Sequence, residues 1–291
     1  LCVTCSTQTS FQGKELNLDV EDSDHKCKIC LDPRQYIGPS GQKWTTLERL
    51  INNPKEKLRN DFGEIIPDQL WTFKTRPAFG IGQRAFLMKD DETEGLIMWD
   101  CVAYLDDKTI SNIDRLSNGK GISHMVISHP HYYSTTATWT RAFPQMKIWL
   151  AKVDFDDWYQ RDDNKDIADR IVFIDQEQTM IGRGGQTKAL LLGGHFPGSL
   201  VLLYKDNLLI ADTIQVVPSG LYKSHEKQRP NVTSVTFLWS YPNQIPLSGK
   251  EVRRVCEPLE KVQFTKAFGA FENFNIWNHA KEKILQSRDI I

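Results

Sequence analysis

The stretch Leu192-Gly193-Gly194-His195-Phe196-Pro197-Gly198-Ser199 lies between two apolar runs, 188–192 and 199–204, and Leu208-Leu209-Ile210-Ala211-Asp212 follows shortly after. Glycines on both sides of a histidine let the backbone turn closely around it. The segment therefore reads as a strand, a Gly-rich turn presenting one imidazole, a second strand, the polar turn Lys205-Asp206-Asn207, and a third strand ending in a carboxylate. Upstream, another apolar run ends at Ile127-Ser128-His129-Pro130-His131. On an extended backbone, positions i and i+2 project to one face, so His129 and His131 converge beyond the strand end. Pro130 argues against a continuing helix or central strand.

A lone His-x-His pair is a weak signal, because imidazole has many uses besides ligation. With His195 and Asp212 added, three imidazoles and one carboxylate at predicted strand ends form a nitrogen-rich set suited to Zn²⁺ or Fe²⁺. His124, inside the run before the first pair, reads as a satisfied core or edge residue.

The rest of the chain is mixed α and β. Short β-rich runs occur at 84–88, 96–99, 125–128, 147–150 and 171–174, and 84–100 reads as a hairpin turning at Asp90-Asp91-Glu92. Helical patterns cover 135–143, 249–259 and 277–286. Ser134 is expected to cap the first of these, and the Trp239–Pro246 loop is expected to pack, with walling of the pocket as the alternative. Residues 44–50 read as a short helix capped by Thr45 or Thr46, and the polar run 52–62 as helix end and loop. The expected division is 1–45 as an N-terminal module, 46–75 as a linker helix and loop, and 76–291 as the main domain. Strands with helices outside them imply a layered sandwich of the α/β (α+β) class.

The N-terminal module holds Cys2-Val3-Thr4-Cys5 and Cys27-Lys28-Ile29-Cys30, four of the six cysteines. Two Cys-x-x-Cys turns complete a tetrahedral thiolate shell with no open position, so Cys2, Cys5, Cys27 and Cys30 are read as a structural zinc site, with disulfides as the alternative. That ion would substitute for a core the segment is too short to bury. His25, two residues before Cys27, is read as solvated.

The order of these motifs resembles the metallo-β-lactamase fold superfamily, whose pattern runs H-x-H-x-D-H, a Gly-His-x-Pro-Gly turn, a strand-terminal Asp and a late His. The resemblance covers about residues 76–275, and its most specific match is Gly194–Ser199. It implies an αββα sandwich in which His129, His131 and His195 form the first metal site and Asp212 is the bridging aspartate. Two departures matter. Tyr133 and Ser134 stand where the family has Asp and His, and the late histidine is replaced by Lys266-Ala267-Phe268-Gly269-Ala270-Phe271. These are poor ligands, so one metal is expected.

One ion with an open position points to a hydrolase in which a metal-bound hydroxide attacks the carbonyl of an ester, lactone, thioester or amide. Asp212 would ligate or orient the water. Tyr133 is either the oxyanion donor or a ring filling the volume of the missing second metal. Two alternatives stand beside this. One is an Fe(II) dioxygenase-like enzyme using His129, His195 and Asp212, a usage resembling the superfamily's sulfur dioxygenases. The other is an inactive binding module.

Charge narrows the partners. Thirty-six Lys and Arg against thirty-seven Asp and Glu give a net charge of −1, which creates no field for nucleic acid or anionic lipid. No apolar run approaches the roughly 18 residues a bilayer span needs. A small-molecule substrate and a cytoplasmic location are expected.

Overall fold

A computed structural model describes residues 1–10, 26–39, 41–90, 94–160, 167–221 and 231–291. His25 and the turn residues Asp91 and Glu92 lie outside them.

Among the described residues, the first sheet has seven strands in sequential order. They are β1 (Arg59–Ile66), β2 (Leu70–Arg76), β3 (Ala85–Met88), β4 (Leu96–Trp99), β5 (Ile122–Val126), β6 (Lys147–Ala151) and β7 (Ile171–Ile174). β1 to β4 pair antiparallel, and β4 to β7 parallel. β3 and β4 are buried at every position, as continuous apolar runs covered on both faces must be.

The second sheet starts with β8 (Gln178–Ile181), β9 (Thr187–Leu191), β10 (Leu200–Tyr204) and β11 (Asn207–Leu209). A small sheet follows, β12 (Ile214–Val216), β13 (Val235–Ser240) and β14 (Ile245–Pro246). Then β15 (Lys266–Phe268) and β16 (Asn275–Ile276) complete the second sheet, in the order β16-β15-β11-β10-β9-β8.

The alternation along β10 shows how the layers stack. Leu200, Leu202 and Tyr204 belong to the core shared with the first sheet. Val201 and Leu203 belong to a second core with Val252, Val255 and Leu259. Successive side chains thus serve opposite faces of one buried sheet, with α6 (Gly249–Glu260) and α7 (Ala280–Ile290) outside it. Helices α3 (Asp107–Leu116), α4 (Thr136–Ala142) and α5 (Lys152–Trp158) connect strands of the first sheet. The expected αββα sandwich is present.

Two expectations are corrected. The stretch 46–75, read as linker helix and loop, contains α2 (Leu47–Ile51), all of β1 and most of β2, so the sheet begins at Arg59. Its alternating polar residues are those of a half-exposed edge strand. Ser134 does not cap α4: Thr135 is the N-cap, and Ser134, at φ +40°, bonds Ser6 Oγ at 3.0 Å. The short α2 is capped as expected, the Thr46 side chain accepting from the Arg49 backbone N–H. No helix among the described residues is long and apolar enough to cross a membrane.

Candidate metal centre

The site lies where the C-terminal ends of β4 and β5 meet the start of β10. Leu200 N donates to Ser128 O at 2.8 Å, joining the two sheets at this edge. Asp100, just past β4, holds a left-handed φ of +60° and accepts the Ser128 N–H through Oδ1 at 2.8 Å. Such strain in a non-glycine persists only where the surroundings fix it. Burial pushes the Asp100 carboxyl up to about 7.

His129 leaves β5 fully extended, at φ −168° and ψ 168°, and a short 3-10 turn, Pro130–Tyr132, carries His131 and Tyr132. The Gly-rich turn delivers His195. Gly194 has φ +93°, and a Cβ there would come within 2.8 Å of Thr213 Cγ2. Gly198 donates its N–H to Asp154 Oδ2 at 3.0 Å, leaving no room for a side chain. Asp212 follows β11.

The four predicted ligands meet. His129, His131, His195 and Asp212 are all buried, and their ligand atoms lie within 4.8 Å of one another. His195 Nε2 is 3.1 Å from His131 Nδ1 and 3.7 Å from Asp212 Oδ2, and His129 Nε2 is 3.4 Å from the same oxygen. Ligands about 2.0–2.2 Å from a tetrahedral ion stand about 3.3–3.6 Å apart, so these separations resemble the edges of one coordination shell. His195 Nδ1 donates to the Trp239 carbonyl at 2.6 Å, because that oxygen only accepts; this leaves the Nε2 lone pair facing the cluster. His129 Nε2 is buried without a hydrogen-bond partner among the described residues. A buried polar atom in that state is costly unless something satisfies it, and a cation does. The residues fit a metal.

Burial, then the nearby His129 charge, lowers His195 to about 3, and burial carries His131 well below its ordinary range. Burial opposes ionisation of Asp212, but His129 and His195 reverse that and hold its carboxyl below the usual range. His131 and His195 are neutral at pH 7, as ligation requires. The unfolded chain takes up the His195 proton near 6.5 and the folded chain only near 3, with His131 shifted in the same direction, so between those values the unfolded state binds more protons. Metal-free protein is expected to keep its full stability from these rings above pH 6.5 and to lose it progressively as the pH falls toward 3. A Tm that stays level across that window would contradict the burial of neutral rings.

Tyr132 meets the site: its hydroxyl donates to Asp212 Oδ1 at 2.7 Å, and its ring lies 4.4 Å from that of His129. In a 3-10 turn, residues three apart eclipse, which places Tyr132 over His129. Tyr133 is buried with its ring edge-on to Tyr159. His124 accepts from Trp149 Nε1 at 3.0 Å, in keeping with its structural reading.

The Trp239–Pro246 loop does more than pack. Besides Trp239 O on His195, it supplies Tyr241 and Pro242 to a cavity of about 440 Å³ that reaches Asp212. The opposite wall is the N-terminal module, through Val3, Gln35, Tyr36 and Lys43.

That module is built around the four cysteines. Cys2 Sγ lies 3.5 Å from Cys30 Sγ, and Cys5 Sγ 3.5 Å from Cys27 Sγ. These are free thiols, with a spacing near the roughly 3.8 Å edge of a tetrahedral Zn–S shell. Gln42 and Gln160 donate to Cys2 and Cys27 sulfurs, a contact that favours thiolates. Burial pushes the Cys5 thiol well up, and the Cys2 and Cys27 thiols push Cys30 up. A bound cation reverses that logic, so the cluster too fits a metal. Helix α1 (Lys28–Leu31) carries Cys30, and Trp44 pairs with Cys2 across a single bridge.

The sequence is 34% identical over 293 residues to the uncharacterized protein YmaE of Bacillus subtilis (strain 168), covering 99% of this chain and 93% of that one. No known protein-family profile matches it. Among solved structures, a metallo-β-lactamase from Pontibacter korlensis aligns with a TM-score of 0.52 at 10% identity, over 80% of this chain and 98% of that one. A chemotaxis sensor ODP, solved as a peroxy diiron species, aligns with a TM-score of 0.53 at 16% identity, over 79% and 92%. A flavoprotein from Thermotoga maritima gives 0.51 at 12% identity over 80% of this chain; the aligned part is 61% of that protein's length. At such identities the likeness shows the metallo-β-lactamase fold alone.

Proposed function

The chain belongs to the family of the uncharacterized protein YmaE of Bacillus subtilis, and from its site we propose that it is a metal-dependent hydrolase. It would act on the carbonyl of a small ester, lactone, thioester or amide, with one ion held by His129, His131, His195 and Asp212. The observation that carries this reading is the convergence of those four buried side chains around the unpartnered His129 Nε2. Tyr133, Ser134 and the segment 266–271 stand where a second ion's ligands would be expected, and they argue for a single metal. A Zn²⁺ ion bound there supplies Lewis acidity and a water whose pKa falls to about 7.

The protein's own groups do the rest. Trp239 O fixes the His195 tautomer, and Ser128 Oγ, 2.9 Å from His129 Nδ1, anchors the second ring. Tyr132 ties down Asp212 Oδ1, so Oδ2 is the oxygen that faces His129 and His195. Tyr132→Phe is therefore expected to weaken metal binding at this site by about 10–100-fold, the usual effect of losing a ligand's outer partner. Competition with a chromophoric chelator measures it, and an unchanged affinity would remove Tyr132 from the account. The cavity above Asp212 suits a small molecule, with Tyr36, Tyr241 and Phe271 to enclose an apolar body.

Metal analysis combined with ester, lactone and thioester panels tests the proposal. About two zinc ions per chain, with turnover that disappears on chelation and returns with Zn²⁺, support it. Iron at the histidine site would favour the redox alternative, for which the approach of both His129 and His195 to one Asp212 oxygen is the relevant feature. Zinc at the cysteines alone would reduce the sandwich to a binding module.

A further inference from the structure

We infer that the four-cysteine module holds the His195 turn in its metal-binding geometry through Arg34, so that an ion at the cysteines raises the affinity of the histidine site for its own metal. This rests on the reading that His129, His131, His195 and Asp212 bind a metal.

The connection is a short run of contacts. Cys27 is the N-cap of α1, Cys30 lies within it, and Asp32 is its C-cap. A helix of four residues cannot hold itself together, so its place depends on the thiolates at Cys27 and Cys30 meeting those at Cys2 and Cys5. The fully buried Asp32 carboxylate accepts from Arg34 at three atoms: the backbone N–H at 2.7 Å, Nε at 2.8 Å and Nη2 at 2.6 Å. That fork leaves Nη1 aimed onward, and it donates to the His195 carbonyl at 2.7 Å.

Arg34 also supports the ligands from behind. Its guanidinium carbon lies 3.6 Å from the centre of the Phe196 ring. That ring in turn packs 4.8 Å from His131, 5.1 Å from His195 and 5.8 Å from His129. The Arg34 carbonyl accepts from Ser240 Oγ at 3.0 Å, beside Trp239, whose carbonyl receives His195 Nδ1–H. A bare guanidinium beside a cation site would repel the ion. The buried Asp32 neutralises that charge, leaving Arg34 as a rigid, planar strut. Arg34 is a positioning residue, with no part in ligation.

Cobalt binding tests the coupling. The cysteine cluster of the intact chain is filled first with Cd²⁺, which thiolates hold, and Co²⁺ is then titrated against the visible bands of nitrogen and oxygen ligation. Arg34→Ala is expected to raise the Co²⁺ Kd about 10–100-fold while the cadmium–thiolate absorption stays intact. Arg34→Lys, which keeps the charge but loses the fork, should fall between. Asp32→Asn should shift the Kd in the same direction, and its effect should not add to that of Arg34→Ala. A Cys27→Ser/Cys30→Ser chain should show the same weakening, and Arg34→Ala should add nothing to it.

A parent chain that takes cobalt or cadmium only at the cysteines would sink the reading of the histidine site and the coupling with it. A parent that fills both sites, with Arg34→Ala binding Co²⁺ equally well, would sink the coupling alone. If Arg34→Ala does not fold, the folded Arg34→Lys chain decides, and a Kd equal to the parent's overturns the inference.

Discussion

A chain carrying His129→Ala and His195→Ala is expected to retain one metal ion where the parent retains two, and to lose hydrolytic turnover to background. His129 offers a buried nitrogen with no hydrogen-bond partner among the described residues, and His195 offers the nitrogen that stands between His131 and Asp212. Removing both leaves one imidazole and a carboxylate, too few for a stable site. The loss should exceed the roughly 10–100-fold that removal of an outer partner produces. The cysteine ion should be untouched, since those thiolates form their own buried cluster. Metal content after exhaustive dialysis, alongside turnover on the best panel substrate, measures both effects. Full metal content with full turnover would remove the site.

Cys5→Ala is expected to act on folding instead. Its module buries a small apolar cluster, Cys2, Cys5, Cys27, Ile29, Cys30 and Trp44, far too little to offset the ordering of the described residues around it. Structural zinc contributes folding free energy of order ~10 kcal/mol in comparable small modules. Opening the tetrahedral shell by one ligand should therefore release residues 26–39 to limited proteolysis, while the sandwich, with its own two cores, persists. The wall formed by Val3, Gln35, Tyr36 and Lys43 would go with it, so substrate affinity should fall even where the histidine ion is supplied in excess. Proteolytic fragments identified by mass, compared with and without Zn²⁺, check this. A variant as resistant as the parent would mean the cysteines are not what holds the module.

Much of the site was legible because each ligand ends a local pattern. An apolar run stopping at His129, a glycine-bracketed His195 and a strand stopping at Asp212 are signals carried by a few adjacent residues. Asp100 carries the same signal, Leu96-Ile97-Met98-Trp99-Asp100, and could have been read in the same way. What the sequence hid depends on tertiary geometry. The alternation that placed His129 and His131 on one face gives way to a 3-10 turn after His129, which brings Tyr132 onto Asp212. The polar spacing of 59–66 looks like a loop because an edge strand need not be apolar, and only its pairing with β2 makes it a strand. Arg34 docks onto a residue 161 positions away, and nothing in Asp32-Pro33-Arg34 announces that destination. Trp239 binds through its carbonyl, an atom every residue has, so its identity says nothing of the role.

The cavity over Asp212 has its floor on the sandwich and one side on the cysteine-bearing segment, which separates two properties usually entangled in one sequence. Residues such as Tyr36 and Lys43 can be exchanged without disturbing the ring nitrogens below them. What enters the cavity is thus set in part by residues that stand outside the set of metal-ligating side chains. Exchanging only the cavity-facing residues of that segment, with Asp32 and Arg34 kept, should shift preference among small molecules and leave metal binding at the histidine site unchanged.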